Sequence, residues 1–178
     1  MRRRPGAHVS AFIATILALS ATGAHAARHT PLRSLPLRLT DLPSGFQLTS
    51  TKSVANAYET VFHHPGLVGI TDIDDIVRRT PGTSGAHGYY RGAVDSTRRS
   101  VNRRICREVA VGHLGTERTG WLCQGITWNS VPFDEVYILF RRNAFVASLT
   151  VAVSAHGYEP GQVARYAQIM DGRIKAAR

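Results

Sequence analysis

The strongest constraint on the fold is a run of alternating hydrophobicity in the last third of the chain. Trp121 to Trp128 alternates apolar and polar residues, and Phe133 to Arg141 alternates again, with Val136, Ile138 and Phe140 on one face. Arg142-Asn143 supplies a tight turn. Ala144 to Ser154 follows, with Phe145, Ala147, Leu149, Val151 and Val153 on one face. Period-two alternation on each side of short turns predicts three consecutive antiparallel strands, a meander with one face buried. Pro160 then suits a first helical position. Beyond it Val163, Tyr166, Ala167, Met170 and Ile174 form a helical stripe whose apolar side must lie on the sheet.

The segments upstream are shorter. Gly45 to Val54, rich in Thr and Ser, predicts a first strand. Ser53 to Phe62 places Val54, Ala57, Tyr58 and Val61 at helical spacing, with His63-His64-Pro65-Gly66 as a stop. Thr71 to Arg79 has a capping Thr, acids at Asp72, Asp74 and Asp75, and Arg78 and Arg79 at its end. That charge order suits a helix dipole and predicts a second short helix. Thr80 to Gly88 reads as a Gly-rich loop, Tyr89 to Val94 as a strand, and Gly115 to Gly120 as a turn. Ser96 to Arg107 fits a basic helix, while Glu108 to Leu114 fits a strand; the pattern does not decide where one ends. Strands grouped with helices to their sides define an α+β class: an antiparallel sheet ending in a three-strand meander, flanked by helices that include an amphipathic C-terminal one.

The N-terminus bears on where such a domain works. Arg2, Arg3 and Arg4 precede an apolar run from Ala11 to Thr22, and Ala24-His25-Ala26 is a small-x-small peptidase site. This is the pattern of a secretory signal cleaved after Ala26, with an apolar run shorter than a membrane span requires. No cysteine lies near the cleavage site, so no lipid anchor is expected, nor is a transmembrane segment after cleavage. The expected layout is a signal peptide over 1–26, a flexible entry over 27–36, and one domain over 37–178. The formal charge of +10 on 178 residues becomes +7 once the three leader arginines are removed. Lys52 and Lys175 are the only lysines, so the charge is carried by arginine. A GC-rich genome produces the same bias without any functional cause.

Cys106 and Cys123 are the only cysteines, 17 residues apart in the exported part. An isolated pair outside the cytosol is expected to form a disulfide; closing a loop of that length is worth about 3 kcal/mol on loop-entropy grounds. Neither a C-x-x-C motif nor a zinc-type ligand spacing accompanies it.

Four short motifs survive along this layout: Leu39-Thr40-Asp41-Leu42-Pro43-Ser44-Gly45-Phe46, Leu114-Gly115-Thr116-Glu117, the hairpin Val136 to Asn143 running into Val146 to Val151, and Met170-Asp171-Gly172-Arg173-Ile174. In this order they resemble small secreted bacterial proteins of uncharacterised function with a PsbP-like α+β domain. The resemblance implies an export route and an antiparallel sheet with helices on its faces. It carries over no catalytic residue.

Candidate chemistry is sparse. His63, His64, Asp72, Asp74 and Asp75 contain metal-ligating types, but they lack the glycine and distal glutamate of a calcium loop, and acids in a helix's first turn have a dipole explanation. No metal site is assigned, and no cofactor. Gly82-Thr83-Ser84-Gly85 lacks both the nucleophile-elbow and the phosphate-loop spacing. His113, Glu117 and Ser130 are the residue types of a hydrolytic triad, a set that any chain of this size offers by chance, and no catalytic residue is assigned. Trp121, Trp128, Tyr89, Tyr90 and Tyr137 either fill a core or line a pocket.

Arginine stands out: Arg91, Arg98, Arg99, Arg103, Arg104 and Arg107 fall within seventeen residues. If Ser96 to Arg107 is helical, Arg99, Arg103 and Arg107 share a face at i, i+4 spacing. Such a surface attracts phosphates and carboxylates. In an exported protein, the expected partners are an anionic cell-envelope polymer, a lipid headgroup or an acidic protein, and not nucleic acid. The reading is therefore a secreted, non-catalytic binding or accessory domain. The rival class is a secreted, hydrolase-like enzyme whose site the sequence does not reveal.

Overall fold

A computed structural model describes residues 30–177 except 67–68, 129, 155–156 and 158. The expected signal peptide and its cleavage site after Ala26 lie outside the described residues. Seven strands form one antiparallel sheet: β1 (Gln47–Val54), β2 (Ala57–His63), β3 (Ile70–Arg79), β4 (Cys106–Glu108), β5 (Glu117–Trp128), β6 (Val131–Arg142) and β7 (Phe145–Ser154). Their spatial order is β1-β2-β3-β7-β6-β5-β4. Helix α1 (Gly82–Ser100) joins β3 to β4, and α2 (Pro160–Ala176) follows β7. The fold is the expected α+β class, with the β5-β6-β7 meander and C-terminal helix in place.

Alternation along β6 and β7 divides the core in two. Val136, Ile138, Phe140, Ala147, Leu149 and Val151 face α2, whose Val163, Tyr166, Ala167, Met170 and Ile174 complete that layer. Leu139 and Val146 face the other way and meet Trp121 with Ala86, Tyr90, Ala93 and Val94 of α1. The helices thus sandwich the centre of the sheet. Residues 30–36 of the entry segment contain a 3-10 turn, Leu32–Ser34, after which Leu35 and Leu37 drop into the α2-side core.

Three upstream expectations are corrected. Ser53 to Phe62 is not a helix. Val54 pairs with Ala57 across a two-residue turn, and β1 and β2 form a hairpin. Thr71 to Arg79 belongs to the internal strand β3, paired with β2 and β7. An i, i+4 spacing such as Ile73–Val77 spans an even number of residues, so it lies on one face of a strand as well as of a helix. Pairing on both edges from Asp72 to Arg78 then holds the backbone of β3, whereas an isolated helix of nine residues is not stable in water.

The third correction concerns Thr80 to Gly88 and Tyr89 to Val94. From Gly82 onward both belong to α1 instead of a loop and a strand. Gly82, Gly85, Gly88 and Gly92 oppose a helix locally by roughly 0.5–1 kcal/mol each. Burial of Ala86, Tyr90, Ala93 and Val94 against the sheet outweighs them. The expected turn at 115–120 is shorter, since β5 begins at Glu117.

Candidate functional site

The arginine stretch spans three elements. Arg91, Arg98 and Arg99 are exposed on α1, Arg103 and Arg104 on the turn that follows it, and Arg107 on β4. The shared helical face expected for Arg99, Arg103 and Arg107 does not form, because α1 ends at Ser100 and Val101 is extended. Asn102 then takes over the backbone. Its side-chain oxygen accepts from Arg104 N–H (3.1 Å), and its carbonyl accepts from Ile105 and Cys106 N–H (3.0 and 2.9 Å). The chain is turned back into β4 at a corner, so Arg103, Arg104 and Arg107 leave the helix that carries Arg91, Arg98 and Arg99.

At that corner lies an open pocket of about 280 Å³, lined by Arg98, Val101, Arg103, Cys106, Glu108 and Trp121. Glu108 accepts from Arg98 Nε (3.0 Å) in an exposed ion pair. Arg91, Arg99, Arg103, Arg104 and Arg107 make no ion pair among the described residues. Asp95 is the one acid on α1. Arg98 and Arg99 in the last turn also meet the negative end of the helix dipole. The surface therefore offers guanidinium forks to carboxylate or phosphate oxygens, beside an apolar wall.

Cys106 and Cys123 form a disulfide. They stand directly opposite each other in the β4–β5 register. Gln124 N–H donates to Ile105 O (2.8 Å) just outside the pair. The bond thus fastens the wall of the pocket to the sheet.

The other candidate residues scatter. Strand alternation puts Asp72 and Asp74 on the α1 face of β3 and Asp75 on the α2 face. His63 Nδ1 contacts Asp72 (2.8 Å), and His64 rests edge-on against Phe46. No group of three metal-ligating side chains exists among the described residues. Asp75 is a structural clasp, accepting from Thr60 Oγ1 (2.8 Å) and from Leu37 N–H (3.1 Å), which ties the entry segment to the sheet. Burial raises its carboxyl well above the usual range, against those two hydrogen bonds.

Asp74 is only 3% exposed, and neither carboxylate oxygen has a hydrogen-bond partner among the described residues. Burial, then Glu59 and then Glu135, pushes its carboxyl up to about 7. Burial also raises Glu135.

His113, Glu117 and Ser130 do not converge. Glu117 opens β5 and Ser130 lies beyond its far end, more than about 30 Å away at ~3.3 Å per strand residue. Glu117 instead accepts from Arg141 Nε and lies 2.8 Å from His87 Nδ1. Burial alone would raise its carboxyl, but these two partners outweigh burial and hold it below the usual range. The His87–Glu117–Arg141 cluster is absent from the sequence reading, since its members lie 24 and 30 residues apart and only the sheet unites them.

The aromatics fill the α1 face. Trp121 and Tyr90 are buried, Trp121 and Tyr137 rings lie 5.6 Å apart, and the Arg78 guanidinium sits 4.8 Å from the Tyr89 ring centre. The Trp128 side chain lies outside the described residues.

No family model and no curated protein sequence matches the chain. Among solved structures, it is similar to the extracellular domain of PknH from Mycobacterium tuberculosis, with a TM-score of 0.57 and 12% identity, over 81% of this chain and 95% of that one. At that identity the likeness is one of fold alone, a one-sheet α+β domain. No helix among the described residues is long and apolar enough to cross a membrane.

Proposed function

We propose that this chain is an exported, non-catalytic binding domain that docks an anionic component of the cell envelope through its arginine corner. The observation that carries the reading is a run of six exposed arginines from α1 to β4, five of them without an ion pair among the described residues, with Arg98 and Arg103 lining an open pocket. Unpaired guanidiniums on a surface repel one another, and that repulsion is relieved when an anion arrives. Export is supported by the leader pattern and by the disulfide, which persists in oxidising compartments. The sheet likeness to an extracellular domain agrees with this placement.

The reading predicts retention on heparin, as a model polyanion, that weakens steeply with salt. Arg103→Glu with Arg104→Glu should lower the eluting salt concentration and shallow the salt dependence by roughly one unit of slope per lost contact. Equal elution of the variant and the parent protein refutes it. Mass analysis of protein recovered from the medium or envelope checks the export arm, with Ala27 as the expected first residue.

A further inference from the structure

We infer that the Cys106–Cys123 bond is a redox latch on the arginine corner: its reduction by a dithiol frees β4 and the preceding turn, while the rest of the sheet stays folded. The part that concerns anion binding rests on the proposed function; the release itself does not.

Three observations lead here. β4 is three residues long, lies at the sheet edge, and pairs only with β5. None of the residues from Val101 to Glu108 is buried, and the first that packs against a core cluster is Val109, at the far end of the segment. Its remaining ties are the three-residue β4–β5 ladder, Gln124 N–H to Ile105 O, Val109 N–H to the O of the buried Gly120, and the exposed Arg98–Glu108 ion pair. Exposed pairs and edge hydrogen bonds contribute little, and such segments open locally at low cost. The disulfide is therefore the dominant fastening of the segment that carries Arg103, Arg104 and Arg107.

The bond is also reachable. Cys106 lines the open pocket, and both cysteines are only half-buried. A thiolate of the dithiol attacks one sulfur and forms a mixed disulfide, and the other cysteine leaves as thiolate and takes up a proton. The dithiol's second thiolate then displaces the first cysteine and closes a cyclic disulfide. Two electrons and two protons pass to the protein, which ends with two thiols, and the dithiol is oxidised.

Once released, the turn no longer fixes Arg103 beside Arg98 at the pocket. The arginines stay charged but lose their preorganisation, so polyanion binding weakens about three- to tenfold instead of vanishing.

The test compares oxidised protein, dithiothreitol-treated protein and the Cys106→Ser, Cys123→Ser double variant. Hydrogen exchange is followed by mass spectrometry, and heparin affinity is measured in parallel. Reduction should raise exchange at least tenfold over 101–109 and leave β6 and β7 protected, with heparin affinity falling three- to tenfold. Unchanged protection of 101–109 overturns the latch. Loss of protection throughout β6 and β7 also overturns it, since the bond would then be a staple of the whole fold. If the oxidised protein has no affinity for heparin, the docking reading fails, and the exchange result still decides the latch.

Discussion

Replacing Asp74 with Asn should stabilise the protein, and by an amount that grows with pH. In the folded chain Asp74 holds its proton to about pH 7, because burial is its largest perturbation and Glu59 and Glu135 add like charge. In the unfolded chain the same carboxyl releases its proton near 3.8. Between those values the folded state binds more protons, so stability falls as pH rises through the window and levels off above the folded value. A displacement of roughly three pKa units is worth about 4 kcal/mol. Asn is neutral throughout and nearly the same size. The gap between variant and parent should therefore widen by up to about 4 kcal/mol from pH 4 to pH 8, or roughly 10 °C in Tm for a domain of this size. The shifts of Asp75 and Glu135 act in the same direction, but they are common to both proteins and largely cancel in the difference. Urea unfolding followed by tryptophan fluorescence at pH 4.5, 6, 7 and 8 measures it. Parallel stability curves for the two proteins would show that Asp74 is ionised in the folded state, and would refute the reasoning.

Two further substitutions probe the packing. Phe140 is fully buried between the meander and α2. Phe140→Ala should cost about 3–5 kcal/mol in denaturant unfolding, and a loss under ~1 kcal/mol would mean that the α2-side core is loosely filled. Gly115 has φ 51°, and a Cβ there would press on the Arg141 carbonyl oxygen, which already accepts from Thr116 N–H (2.7 Å). Gly115→Ala should cost at least ~2 kcal/mol in the same assay, as strained backbone positions do; an unchanged midpoint would contradict that crowding.

Legibility followed the length of each pattern. The meander and α2 were readable because their buried faces repeat over many residues. Val136, Ile138 and Phe140 fit only a strand, and Val163, Tyr166, Ala167, Met170 and Ile174 fit only a helix. Ser53 to Phe62 and Thr71 to Arg79 are ambiguous in sequence because each holds only a few apolar residues, at spacings that either element can use. Thr80 to Val94 is opaque for the opposite reason: four glycines and a Tyr-Tyr pair oppose a helix locally, and the sheet imposes one from Gly82 onward.

The candidate site divides the same way. The sequence by itself determined that there are two cysteines to pair and six arginines crowded into one stretch. Those are matters of composition, and they hold whatever the fold. Only the tertiary structure decided that the helical run ends at Ser100, that β4 returns against β5, and that Arg98 and Arg103 meet at a pocket while Arg107 stands on a strand. It also decided which acids matter: Asp75 became a hydrogen-bonded clasp and its neighbour Asp74 an unpartnered buried carboxyl. Adjacent residues on a strand face opposite sides of the sheet, and what waits on each side is supplied by segments distant in sequence.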